Sequence, residues 1–241
     1  MPYFKGFPQT SYVFGNEEYS VLFPNLTLYS DILDGILNAE GLYTRYYIKD
    51  GERPDNVSFK LYNTPDAAWS FYLLNDHLRE QGWPLKETSL NTKIDESFPN
   101  KAVRTTGDIY EDFLPGTTVT GSSSNAVGKI VKRDVNTGQI FINTSDDFQS
   151  TGETLYCTED GVFKSITITS AYNEADAVFY YKDSSGNQVS IDPGLSTPSS
   201  LTPITYRDYY TSQNNDLRSI KVLRKEMLAK VSAELKKVMT E

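Results

Sequence analysis

Residues 46–75 read YYIKDGERPDNVSFKLYNTPDAAWSFYLLN, and the punctuation of this stretch decides the local fold. The apolar run ends at Asp50-Gly51, a turn pair that stops a strand. Pro54 then stands where a first helical turn tolerates a missing N–H. Behind it Val57, Leu61, Phe59 and Tyr62 supply an apolar face, and Asn63-Thr64-Pro65 breaks the helix. Trp69, Tyr72 and Leu73 resume helical spacing. The stretch therefore reads as strand, helix, helix.

These residues resemble the LysM module, whose pattern runs from a strand through a Gly-Asp-Thr turn into a helix, a Tyr, a second helix and an Asn. They more closely resemble the version found in the baseplate wedge subunit of T-even-type contractile-tailed phages, the protein that joins neighbouring wedges. In that family the strand leads into Asp-Gly-Glu-Arg-Pro, matched by Asp50-Gly51-Glu52-Arg53-Pro54. A Trp-containing helix then ends in Asn-Asp, matched by Trp69 through Asn75-Asp76, and Trp83-Pro84 matches the Trp-Pro that follows. An aromatic opening, here Tyr3-Phe4, Phe7-Pro8 and Tyr12, is also similar.

The resemblance implies a non-enzymatic subunit without cofactors, located in the virion tail baseplate and assembled in the host cytoplasm. Its implied partners are the other wedge subunits, the sheath-initiating subunit, and the hub and tube-adaptor proteins. It also implies six copies per baseplate, each bridging two wedges in a ring closed by heterologous contacts. The fold class expected is α+β: the resemblance implies a LysM-like βααβ core, and the rest of the chain adds an inserted small antiparallel β-barrel or sandwich and a C-terminal amphipathic helix.

The whole chain narrows the function classes. Its 241 residues, 38% hydrophobic and 13% aromatic, can build a real core, which argues against disorder. Apolar runs such as Ser70–Asn75 fall far short of the roughly 20 residues of a membrane helix, so no membrane insertion is expected. The start lacks a signal peptide's basic-then-apolar layout, which points to a soluble protein used without secretion. Cys157, the single cysteine, allows neither an internal disulfide nor a thiolate zinc cluster. A formal charge of −9 argues against nucleic acid as a partner, because phosphate binding relies on clustered cations. One tail is nevertheless basic: Arg218, Lys221, Arg224, Lys225, Lys230, Lys236 and Lys237 face only Glu226 and Glu234. It reads either as a solvated face or as a dock for an acidic protein.

Three segments follow from texture: 1–106, an aromatic arm plus the LysM-like unit; 107–171, an inserted β module; and 172–241, a hairpin, a Pro-rich linker and a helix. Ile140–Ile142 and Ser165–Thr169 read as strands, and Asp134–Gly138 as a hairpin turn. A half-repeat sets Gly116, Thr118, Val119 and Ile130 against Gly152, Thr154, Leu155 and Ile166, each copy opened by an aromatic, Phe113 or Phe148. Ala177–Tyr181 with Gln188–Ile191 predicts a hairpin that returns the chain to the first unit. Pro193, Pro198 and Pro203 predict an extended linker. Leu217, Ile220, Leu223, Met227, Val231, Leu235 and Val238 form a stripe that predicts one helix from Asp216 to Met239, capped by Asn214, Asn215 or Asp216.

Catalytic, metal-binding and cofactor residues are not expected. His77 is the only histidine, Asp146-Asp147 and Glu17-Glu18 are adjacent rather than opposed carboxylates, and no nucleophile elbow, phosphate loop or calcium loop occurs. The candidate partner-binding residues are the aromatics Tyr3, Phe4, Phe7, Trp69 and Trp83, the turn residues Glu52 and Arg53, and Lys221, Leu223 and Val231 of the tail. The alternative reading is a peptidoglycan- or chitin-binding LysM module. The turn departs from that type, with Gly51-Glu52-Arg53-Pro54 in place of Gly-Asp-Thr. A cell-wall hydrolase is a third reading, for which no carboxylate pair is singled out.

Overall fold

The computed structural model describes residues 9–13, 19–24, 40–191 and 199–238. The chain divides into two compact units, Met1–Glu87 with Asn214–Glu241, and Thr88–Gln213. The structure is mixed helix and strand with antiparallel sheets, an α+β class.

Gln9–Tyr12 (β1) and Val21–Pro24 (β2) pair as an antiparallel ladder. A short 3-10 turn, Glu40–Leu42, leads into Tyr43–Tyr47 (β3). Helix Pro54–Tyr62 (α1) starts as its sequence predicts: Arg53 is extended, Pro54 opens the first turn, and Asn63 ends the helix at φ 60° with its N–H on the Phe59 carbonyl. Val57 and Tyr62 are buried, whereas Phe59, expected on the apolar face, is 61% exposed. Thr64 caps the 3-10 turn Pro65–Ala67 through its hydroxyl. Trp69–Leu74 (α2) then buries Phe71, Leu73 and Leu74, and Asp76–Gln81 (α3) buries Leu78.

The second unit contains most of Glu87–Ser97 (α4), whose Leu90 and Ile94 pack with Ala175 and Phe98. Seven strands follow: Lys101–Arg104 (β4), Thr118–Gly121 (β5), Val127–Asp134 (β6), Gln139–Asn143 (β7), Thr154–Glu159 (β8), Val162–Thr167 (β9) and Ser170–Asn173 (β10). They form one antiparallel sheet in the order β10-β4-β7-β6-β5-β8-β9. Only Ile168 and Thr169 separate β9 from β10. β9 pairs with β8 and β10 with β4, so two strands consecutive in the chain form the opposite ends of the sheet order. Phe113, Ile130, Ile140, Ile142 and Leu155 fill its core.

The half-repeat is visible in the hydrogen bonds. Gly116, at φ 98°, donates to the Ile130 carbonyl at 2.8 Å, and Gly152, at φ 75°, donates to Ile168 at 3.0 Å. Each glycine opens a hairpin through a conformation that side chains resist. The partner of Ile130 is thus Ile168, not Ile166. Both Phe113 and Phe148 are buried in this core. The Asp134–Gly138 turn forms as read, with Asp134 Oδ1 accepting the amides of Asn136 and Thr137.

Val178–Lys182 (β11), Gln188–Val189 (β12) and Thr202–Thr205 (β13) make a three-stranded sheet in the order β12-β11-β13. The predicted hairpin is therefore present, but it belongs to Thr88–Gln213 and does not return the chain to the first unit. Pro203 sits in edge strand β13, one of the few sheet positions that tolerate the missing donor; Pro193 and Pro198 lie outside the described residues. Helix Tyr206–Asp216 (α5) follows.

The single long C-terminal helix is not formed. Asn214 to Asp216 close α5 instead of capping a new helix, Ser219–Leu223 is a strand (β14), and the helix begins only at Lys225–Val238 (α6). Ser219-Ile-Lys-Val-Leu223 carries a period-2 alternation inside the 3.6-residue stripe. β3 offers the ladder partner that decides between the two periods. The register runs from Tyr43↔Leu223 to Tyr47↔Ser219. Ile220, Val222 and Leu223 are buried with Ile48, Val57, Phe71, Leu78 and Val231. The unit boundaries also differ from those read in the sequence, because β4 lies outside 107–171 and β10 straddles its end, yet both belong to the same sheet.

Candidate functional site

The turn after β3 gathers most of the singled-out residues of the first unit. Gly51, at φ 73°, makes the turn, and Glu52 folds back over it. The Glu52 carboxylate accepts from the Tyr46 hydroxyl at 2.9 Å, from the Lys49 amide at 3.0 Å, and from Lys60. Partial burial disfavours the Glu52 anion, but these donors outweigh it and hold the carboxyl below its usual range. Burial, with the Glu52 carboxylate beside it, pushes the Tyr46 phenol up to about 12. The Glu52 carbonyl accepts the Trp83 indole N–H at 2.6 Å. Trp83 in turn lies against Phe71 and Tyr72, with centroids 5.8 and 6.2 Å away. Glu52 and Trp83 are thus brought together as parts of one internal brace.

Arg53 differs from its neighbour: its side chain is 75% exposed and pairs with Asp55 at 3.2 Å. Trp69 is half-buried against the core. Lys221 lies in β14, with its ammonium 4.9 Å from the centre of the Tyr43 ring. Leu223 and Val231 are 2% and 6% exposed and belong to the unit's own core, so this part of the stripe docks in cis. Tyr3, Phe4 and Phe7 lie outside the described residues. The turn also borders a cavity of about 340 Å³ lined by Asp50, Gly51, Glu52, Asn56, Phe59 and Lys60.

Three polar residues overlooked as site residues hold the unit together. Asn75, 4% exposed, acts as a substitute strand: its Oδ1 accepts the Lys221 amide at 2.8 Å and its Nδ2 donates to the Lys221 carbonyl at 2.8 Å. The same Nδ2 donates to the Phe71 carbonyl at 2.7 Å. Asn214 does the equivalent to Leu85, accepting its amide at 2.7 Å and donating to its carbonyl at 3.0 Å. Arg218, counted above with the basic tail, is buried, and donates to Asp50 Oδ1 at 2.8 Å and to the Leu85 carbonyl at 3.3 Å. Arg218 and the Glu87 amide together lower the Asp50 carboxyl below its usual range. A lone Arg inside an otherwise apolar alternation was the available signal for Arg218; the clamps of Asn75 and Asn214 depend on pairings too distant in sequence to read.

Among the described residues, no group of three or more His, Cys, Asp or Glu side chains could hold a metal ion, and no helix is long and apolar enough to cross a membrane. His77 lies in the first turn of α3, and its buried Nε2 has no hydrogen-bond partner among the described residues. Cys157 is buried, and burial pushes its thiol up to about 11. No protein-family model matches the chain, and no curated protein matches it.

Proposed function

We propose that this chain is a structural, non-enzymatic subunit of a contractile phage tail baseplate, a LysM-like clamp that bridges adjacent wedges around the hub. One observation carries the reading. Within the first unit β3, α1 and α2 are followed by the short α3 and, after the intervening Thr88–Gln213, by β14, which runs antiparallel to β3, and the words of the resemblance from Asp50 to Pro84 serve that unit. Asp50–Pro54 makes its turn, Trp83 braces the turn, and Asn75 fastens the closing strand. The seven-stranded antiparallel sheet within Thr88–Gln213, whose two end strands are joined by only Ile168 and Thr169, supports a small antiparallel barrel or sandwich as the insert.

In this reading the partners are the neighbouring wedge subunits, the sheath-initiating subunit, and the hub and tube-adaptor proteins, and one copy serves each wedge of the virion. The test is a phage lacking the chain: it should accumulate wedges that fail to join. Normal, infectious tails from that phage would overturn the proposal.

The cavity beside Gly51, with exposed Phe59 on its wall, favours a second reading, a peptidoglycan- or chitin-binding module. A pull-down on insoluble peptidoglycan separates the two. Retention that chito-oligosaccharide competes away supports the glycan module; passage through unretained supports the clamp.

A further inference from the structure

The outer edge of β3 is open among the described residues, and the pairing defines what it offers. Ile48 donates to the Arg218 carbonyl and Arg224 to the Leu42 carbonyl, both at 2.9 Å. With the register of β3 and β14, this parity makes Thr44 and Tyr46 the residues that exchange bonds with β14. Tyr43, Arg45 and Tyr47 therefore turn their N–H and C=O groups outward. On the far side of β14 the equivalent groups are capped by side chains, those of Lys221 by Asn75 and the Leu223 carbonyl by the Tyr62 hydroxyl at 2.9 Å. Among the described residues no such cap meets β3.

The charges on this strand pair point to the occupant. Arg45 stands opposite Lys221 in a non-hydrogen-bonded pair, the arrangement in which facing side chains approach most closely. Like charges so placed weaken a strand pair. The flanking β3 residues on this face are aromatic: Tyr43 lies under the Lys221 ammonium, and Tyr47 is 60% exposed. A single cation would serve as a guard against edge-to-edge aggregation. Two opposed cations on a chain of net charge −9 instead make a local site for carboxylates.

We propose that the β3 edge receives an extended acidic segment of a protein partner, which adds as a third strand with a carboxylate facing Arg45 and Lys221. Main-chain bonds to Tyr43, Arg45 and Tyr47 supply the alignment, and the two cations select the sequence. The proposal rests on the edge and its charges, and holds whether or not the chain belongs to a phage tail.

The test uses the full chain and a synthetic peptide alternating glutamate and valine, followed by NMR. Saturable binding is expected, with the Tyr43, Arg45 and Tyr47 amides shifted and slowed in hydrogen exchange. The double variant Arg45→Glu, Lys221→Glu should bind about tenfold more weakly or worse. The neutral pair Arg45→Gln, Lys221→Gln should fall between, and controls for any loss of fold in the charge reversal. A peptide N-methylated on the residues that face the edge should not bind. The proposal is overturned if the acidic peptide does not saturate, if its lysine counterpart binds equally, if neither charge reversal nor N-methylation weakens binding, or if the edge proves to be closed by a second copy of the chain.

Discussion

Asn75 shows how one side chain can complete a fold. Its carboxamide presents a donor and an acceptor to Lys221 as a neighbouring strand would, and so holds the end of α2 to a strand far along the chain. Replacing Asn75 with Ala removes three hydrogen bonds to main-chain groups, two of them to Lys221. A loss of about 2–3 kcal/mol in chemical denaturation is expected, with an unchanged m-value. Asp50 and Glu52 make a pH-dependent contribution whose sign is fixed. Both carboxyls titrate lower in the folded chain than in the unfolded one, so their stabilisation is full above about pH 4 and fades as pH falls through the folded values. The melting temperature of Asp50→Asn, Glu52→Gln should therefore lie below that of the parent at neutral pH and converge on it in acid. A gap that persists or widens in acid would mean that the charges are not the cause. The turn word Asp50–Pro54 was legible because its signals are local. That Glu52 faces inward and Arg53 outward was not, since the choice depends on where Lys60 and Trp83 arrive.

Among the elements, the carboxy-terminal segment separates local pattern from tertiary context. A stripe spaced by threes and fours satisfied a helix from Asp216 to Met239, yet residues 219–223 chose the ladder offered by β3, and only Lys225–Val238 kept helical form. The same segment alternates with period two, and no local signal weighs one period against the other. Leu223 and Val231, expected as partner-binding residues, meet in one core despite the change of element, so they pack on their own unit. Leu223→Asp or Val231→Asp should each destabilise the isolated protein by several kcal/mol. A variant with parental thermal stability would place these side chains outside the core. The half-repeat was legible because left-handed glycines and buried aromatics recur in fixed order. The partner change between β9 and β10, from β8 to β4, leaves no such mark.

The molecule as a whole is one unit interrupted by another. Leu85 and Asn214, which flank the interruption, are hydrogen-bonded to each other within the first unit, so the two ends of the insert are held together. That geometry is the one in which an inserted domain is tolerated. Replacing Thr88–Gln213 with a short Gly-Ser linker should leave a remainder that melts cooperatively, since Ile48, Phe71, Leu78 and Val222 share a core of their own. A non-cooperative melt would show that neither part stands alone. Cutting instead at 107 and 171 would sever β4 from its sheet and split β10, and should unfold the insert. Whether the unit works as a clamp is decided by locating it: the chain is tagged in a phage that carries it, and purified tails are imaged by cryo-electron microscopy. The result expected is density for the strand-helix-helix-strand unit at every junction between neighbouring wedges. Tails that lack the chain altogether, with the protein recovered on peptidoglycan, would contradict it.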